Sequence, residues 1–372
     1  MHFPNVKISF LVKILIALGA MGAGIASAEY YYECPPYCHD SEGLDSQPNT
    51  NTGFVQGTIT TVGVNTAATV GNTVAGIVGG GAGGGGGFAA LPAGITRLAL
   101  PGQGGTGAAA APGGKAWNAW FGYSRSDIAY EYNPLKSDGD VDVFLAGVDY
   151  TLASDIVIGL AIAVDSSDID LKGTSFGAAG GKMDGDGTTY TLYTGIPINK
   201  NWSADLSAGW GTTEVTTKVL GTKGEMDDDR TTFVGGLTYR ELVGADNKWM
   251  LTGRGGYIFV KDRLGSYTMS NGTFVPSGKV EVSQVRFGGQ AAYNMGMFVP
   301  YAGLSYIYDF KEPNQAPIGG LKADNDRDGM QGTIGIRFSV PNGFYGGLQY
   351  SSEFSRDEVK NDQWMLNFGT RF

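Results

Sequence analysis

From Trp117 to the end of the chain, side-chain polarity alternates with a period of two through twelve segments, which begin near residues 117, 141, 156, 188, 202, 230, 248, 279, 297, 329, 344 and 362. Successive side chains of a strand point to opposite faces of its sheet, so this pattern specifies a sheet with one apolar and one polar face. Ile334, Ile336, Phe338 and Val340 alternate with Thr333, Gly335, Arg337 and Ser339. Trp202, Leu206, Ala208 and Trp210 alternate with Ser203, Asp205, Ser207 and Gly209. In the last segment Trp364, Leu366, Phe368 and Phe372 oppose Met365, Asn367, Gly369 and Arg371. Each segment is long enough for the roughly 9 to 11 residues that a tilted membrane strand needs. The connections alternate as well. Ala153-Ser154-Asp155, Asn199-Lys200-Asn201, Gly244-Ala245-Asp246-Asn247, Asn294-Met295-Gly296 and Pro341-Asn342-Gly343 read as tight turns, and the other six connections as loops of seven to eighteen residues. An even strand count with short turns at one end and long loops at the other is the pattern of a bacterial outer-membrane barrel, apolar face to lipid and polar face to lumen.

The N-terminus points to the same compartment. Lys7 and Lys13 precede an apolar run from Ile14 to Ile25 and the small-residue site Ala26-Ser27-Ala28, the order of a secretory signal peptide cleaved before Glu29. After residue 28 no stretch approaches the roughly 20 apolar residues that a spanning helix requires. Only helices and closed barrels satisfy every backbone polar group in lipid, so an exported membrane protein of this composition is expected to be an all-β, antiparallel, twelve-stranded transmembrane barrel. Removing the two leader lysines leaves 24 basic against 36 acidic side chains, which argues against nucleic acid as a partner.

Three regions follow: a signal peptide over 1–28, a low-complexity segment over 29–115, and the barrel over 116–372. The middle region carries a Pro/Cys patch, a Thr/Val/Gly tract and the run Gly79 to Gly87 interrupted by Ala82, a composition that buries too little apolar surface to fold alone. Cys34 and Cys38 flank Pro-Pro-Tyr; in an oxidising compartment this spacing reads as a small structural disulfide. Trp117, Trp202, Trp249, Phe298, Phe344 and Phe372 all lie beside a short turn or terminus, as an interfacial aromatic girdle would. The alternative is a soluble β-sandwich whose core ends are aromatic.

On the strand count, the glycine pairs Gly235-Gly236, Gly255-Gly256 and Gly288-Gly289, and the ending from Trp364 to Phe372, the region Trp117–Phe372 resembles the β-domain of autotransporters, the translocators of type V secretion. The resemblance implies a barrel that carries its own N-terminal passenger to the cell surface, joined through a helix in the lumen. It also implies that Trp364, Phe368 and Phe372 belong to a signal read by the outer-membrane assembly machinery. The N-terminal region here is short and lacks the strand repeats of a β-solenoid passenger. Gly102, Gly104, Gly105, Pro112, Gly113 and Gly114 would break a helix directly before the first strand, so a plug is expected to be extended or to come from the tract Val70 to Val78.

The candidate site is the lumen. Asp149, Asp165 and Asp205 on early strands and Arg240, Arg254, Arg286 and Arg337 on later ones have inward parity. They form either opposed acidic and basic walls across a wet lumen, or cross-barrel ion pairs that fill it. Enzymatic barrels that activate a nucleophile with His are a rival class, but His2 and His39 both precede the barrel, so no catalytic site is expected. The Asp-x-Asp patterns, Asp138/Asp140/Asp142, Asp184/Asp186, Asp227–Asp229 and Asp324/Asp326/Asp328, read as acidic external loops beside lipopolysaccharide. The last of them, with Gly329, resembles the start of a calcium loop without its twelfth-position Glu. Ca2+ there is the one cofactor to consider. The leading functional reading is a translocator that displays its own N-terminal segment; a small-solute porin and an adhesive surface protein are the alternatives.

Overall fold

The computed structural model describes residues 117–372 apart from 132–135, 153–155, 173–179, 245, 312–326, 341–342 and 358, together with Gly63, Ala67 and Ala68 of the N-terminal region. Cys34, Cys38, the leader, the tract Val70 to Val78 and the glycines before the first strand lie outside the described residues. The strands are β1 (Trp117–Tyr130), β2 (Ser137–Thr151), β3 (Val157–Leu171), β4 (Gly181–Pro197), β5 (Trp202–Val219), β6 (Thr222–Val243), β7 (Trp249–Leu264), β8 (Tyr267–Thr268), β9 (Phe274–Val275), β10 (Gly278–Tyr293), β11 (Phe298–Lys311), β12 (Asp328–Ser339), β13 (Phe344–Phe354) and β14 (Val359–Arg371). All but β8 and β9 join one closed antiparallel barrel in chain order, with β1 pairing β14 from Asn118↔Arg371 to Tyr130↔Val359. The backbones of Trp117 and Phe372 exchange hydrogen bonds of 3.2 and 3.0 Å, which extends that seam to the last residue.

The alternation in the sequence becomes two faces. On β3, Ala161, Ala163 and Asp165 turn inward and are buried, and Ile158, Leu160, Ile162 and Val164 turn outward and are exposed. At the short-turn end, outward rings pair across neighbouring strands: Trp117 with Tyr150, Trp202 with Tyr239 and Trp249 with Tyr293, each at 5.0 Å between centroids. Phe344 stacks on Phe368 at 6.2 Å, with Phe338 beside both. Amphipathic rings in one such band mark a bilayer interface.

The glycine-rich strands have a packing reason. Inside the barrel, Trp120 lies over Gly147, Tyr193 over Gly159, Tyr301 over Gly335 and Tyr345 over Gly369; a Cβ on any of these glycines would fall 2.2–2.4 Å from a ring atom. Bulky rings lie flat along the wall only where the facing strand has no side chain.

Two sequence expectations are corrected. β2, β4 and β6 begin at Ser137, Gly181 and Thr222, several residues before the expected starts, and the β5–β6 connection is the two-residue turn Leu220-Gly221 instead of a long loop. Both turn residues have positive φ, 52° and 74°, as a type I′ hairpin requires. The misjudged stretches are polar on their outward face because the strands continue beyond the apolar band, where polarity resembles that of a loop.

The second correction follows from the first. Asp138, Asp140, Asp142, Asp184, Asp186 and Asp227 to Asp229 lie on strands; the x-spaced pairs follow the strand period, with Asp227 and Asp229 outward and Asp228 between them inward. Asp362, Asp127, Asp140, Asp168 and Asp184 are successive register partners across β14, β1, β2, β3 and β4. Like charges directly opposite one another repel. Interleaved cations relieve them: Arg125 bonds Asp140 and Asp142, Lys182 bonds Asp168, and Lys218 bonds Asp184.

Above this row the β7–β10 connection folds back as the β8–β9 ribbon. It is tied to β6 by Ser270 N–H to Lys223 O (2.7 Å) and Gly265 N–H to Asp227 O (2.8 Å). Tyr267, Met269 and Val275 join inward Val215, Val219, Met226 and Leu264 in one apolar cluster at the external end.

Candidate functional site: the barrel lumen

Inward positions along the strands place charged side chains in the interior, where a charge is tolerated only when paired. Arg254 of β7 clasps Asp205 of β5 with both terminal nitrogens, at 2.5 and 2.8 Å, and its Nη1 also donates to Thr238 Oγ1 at 2.9 Å. Gly236 makes room for it, since a Cβ there would lie 2.2 Å from Arg254 Nη2. Arg230 of β6 donates to Asp165 of β3 at 3.1 Å and to Asp262 of β7 at 3.2 Å, with all three side chains 1% exposed. Asp149 accepts from Asn118 and Tyr193, each at 2.9 Å; Trp120 Nε1 donates to the Tyr193 hydroxyl, and Tyr345 to Asn118, both at 2.8 Å. This neutral and carboxylate network crosses the β1–β14 seam and ties β13, β1, β2 and β4 together.

The remaining arginines are held individually. Arg240 donates to Ser203 Oγ at 3.0 Å, Arg286 to Gln284 Oε1, and Arg337 stacks over the Tyr301 ring at 3.9 Å. Asp165 and Asp205 thus each meet a guanidinium a few strands away, and the geometry is one of ion pairs within the wall. Arg230 and Asp262, which join β3, β6 and β7 in one buried cluster, are not among the positions expected from the sequence. Their parity was legible, because Phe233 and Phe259 are outward, but the run Asp227-Asp228-Asp229 was read as loop and Arg230 as the first residue after it.

The cluster holds more carboxyl groups than guanidinium groups. Asp228, also inward on β6, is 1% exposed. Both its oxygens, Asp262 Oδ2, Arg230 Nη2 and Thr213 Oγ1 have no hydrogen-bond partner among the described residues.

Against this wall stands the N-terminal region. Gly63, Ala67 and Ala68 are helical and buried. Ala67 and Ala68 form one apolar cluster with Val234 of β6, Ile258 and Val260 of β7, and Val282 of β10. Gly63 sits over the charged cluster: a Cβ there would lie 2.8 Å from Val260 Cγ1, 3.1 Å from Asp262 Oδ2 and 3.4 Å from Arg230 Nε. A luminal segment was expected to be extended or to come from Val70 to Val78; the described contacts are helical and begin earlier. Gly is a poor helix former, so packing against the barrel overrides local propensity at Gly63.

Val234 and Ile258 lie four residues nearer the short turns than Arg230 and Asp262. The helical residues therefore descend, in chain order, from the external end of the barrel toward the end where β1 begins.

Of the other expected positions, Trp364, Phe368 and Phe372 face outward on the closing strand or just beyond it. Asp328 opens β12, and Asp324 and Asp326 lie outside the described residues. Among the described residues no three His, Cys, Asp or Glu side chains are grouped to hold a metal ion.

A family model described as the autotransporter β-domain matches residues 122–351. Among solved structures, the translocator domain of the autotransporter NalP from Neisseria meningitidis aligns with a TM-score of 0.56 at 12% identity, over 70% of this chain and 90% of that one. The β-domain of the Bordetella autotransporter BrkA gives 0.55 at 14% identity, over 69% of this chain and 100% of its own. The transport unit of the autotransporter AIDA-I from Escherichia coli gives 0.55 at 12% identity, over 69% and 91%. No curated protein matches the sequence.

Proposed function

The chain belongs to the autotransporter β-domain family and forms an outer-membrane barrel of that type, and on that premise we propose that it translocates its own N-terminal segment and then retains the part around Gly63–Ala68 as a luminal helix. The observation that carries this reading is the burial of Gly63, Ala67 and Ala68 against β6, β7 and β10, with the helix running from the external end inward. A helix of that polarity directs the residues before Gly63 to the cell surface and those after it back toward β1. The cargo is then a short displayed segment, exported first by the signal peptide over residues 1–28. No His falls between Trp117 and Phe372, which favours passage over His-dependent catalysis.

Surface labelling tests this. With Cys34 and Cys38 replaced by Ser, a single Thr52→Cys is expected to react with a membrane-impermeant maleimide on intact cells, whereas Ala109→Cys, between the helix and β1, is expected to react only after the outer membrane is permeabilised. Protection of Thr52→Cys in intact cells, with an assembled barrel, would overturn the reading.

A further inference from the structure

Three features of the lumen converge on one position. The first is steric: Gly63 leaves no room for a side chain, because Val260 Cγ1 would lie 2.8 Å from its Cβ and the Arg230–Asp262 pair just behind. Ala67, one helical turn further on, is 2% exposed among Val234, Ile258, Val260 and Val282. Residues at i and i+4 share a helix face, so Gly63 and Ala67, both small, meet the wall on one face.

The second feature is electrostatic. Asp165 and Asp262 pair with a single guanidinium, that of Arg230, Asp228 lies two residues before Arg230 on the same inward face of β6, and Asp262 Oδ2, Arg230 Nη2 and both Asp228 oxygens are without a hydrogen-bond partner among the described residues. A carboxylate resting at Gly63 would meet Asp262 at short range in a medium that screens poorly. The third lies in the sequence. Residues 46–96 contain no Asp, Glu, Lys, Arg or His, in a chain whose barrel region is rich in charge. A neutral stretch can rest against such a wall without being held or repelled, whereas Glu29, Glu33, Asp40, Glu42 and Asp45 of the preceding segment pass the cluster and do not stop there.

We propose that Val260 with the Asp165–Arg230–Asp262 cluster is a seat that sets the resting register of the N-terminal segment at Gly63, and that only an uncharged, small-residue stretch can rest on it. Gly63 is the positioning residue of the translocated segment. The proposal rests on the translocator reading for its biological sense, but its geometry is tested separately.

The register is read by disulfide cross-linking in the full chain with Cys34→Ser and Cys38→Ser. Ala67→Cys is paired in turn with Val234→Cys, Ile258→Cys and Val282→Cys, and heat-modifiable mobility reports that the barrel is folded. With Gly63 in place at least one pair cross-links efficiently. Adding Gly63→Leu is expected to lower that yield by about tenfold with the barrel still folded, and Gly63→Ala less. Charge discrimination at rest is read by comparing Gly63→Asp with its neutral isostere Gly63→Asn, beside Asp262: the Ala67→Cys cross-link yield is expected to be severalfold lower in the aspartate variant than in the asparagine variant. Absence of any cross-link with Gly63 present, or a yield indifferent to Gly63→Leu, overturns the seat; equal cross-link yields of the Asp and Asn variants overturn the charge discrimination. If cross-links behave as expected but Thr52→Cys is never labelled in the unmodified thread, the seat stands and the translocator reading fails.

Discussion

Replacing Arg254 by Met is expected to destabilise the barrel by about 3–5 kcal/mol, because it strands the Asp205 carboxylate in the interior without its two-pronged partner. The loss should appear as a lower urea midpoint for the heat-modifiable form in detergent or lipid. Substituting both partners, Arg254→Met with Asp205→Leu, should restore most of that loss, since a buried ion pair replaced by apolar groups of similar volume is often neutral or better. Equal destabilisation by the single and double variants would show that Arg254 acts through its bond to Thr238 or its fit over Gly236, and not through Asp205.

Deletion of Phe372 is expected to cut the outer-membrane level of folded protein by about tenfold. The residue contributes both to the Trp117–Phe372 backbone pair that ends the seam and to the outward aromatic face that includes Trp364 and Phe368. Two lost seam hydrogen bonds amount to only about 1–3 kcal/mol. A defect much larger than the stability loss measured on refolded protein therefore points to recognition of the C-terminal strand by the assembly machinery. Phe372→Ala, which keeps the backbone pair, separates the two contributions: assembly equal to the unmodified chain in that variant would leave only the seam to explain the deletion.

Much of the barrel was legible because period two is a strong signal wherever one face meets lipid. Ile334, Ile336 and Phe338 could only be outward, and the short-turn ends at Trp202, Trp249, Phe298 and Phe344 fell within one residue of the expected starts. The signal fails where both faces change character. Beyond the apolar band β5 and β6 carry Thr, Lys and Asp outward, so their extension to Leu220-Gly221 read as loop. The luminal site was legible only in part. Asp165, Asp205 and Arg254 follow from parity, but which carboxylate meets which guanidinium depends on barrel closure and strand stagger, which a strand-by-strand reading does not contain. Gly63 was invisible for a different reason: Val62, Val64, Thr66 and Thr69 oppose helix formation locally, and the face Gly63–Ala67 acquires meaning only beside Val234, Ile258 and Val260.

The central claim is that the N-terminal segment occupies the lumen of this barrel, and single-channel recording in planar bilayers tests it most directly. A twelve-strand barrel is wide enough that side chains alone leave a path unless another part of the chain fills it. The chain from Glu29 onward is expected to conduct weakly, and deletion of Glu29 to Gly114 is expected to raise the conductance severalfold, with open currents that are steady in time. Equal, large and steady conductance with and without the segment would contradict the account, because a helix seated on β6, β7 and β10 could not then be obstructing the lumen.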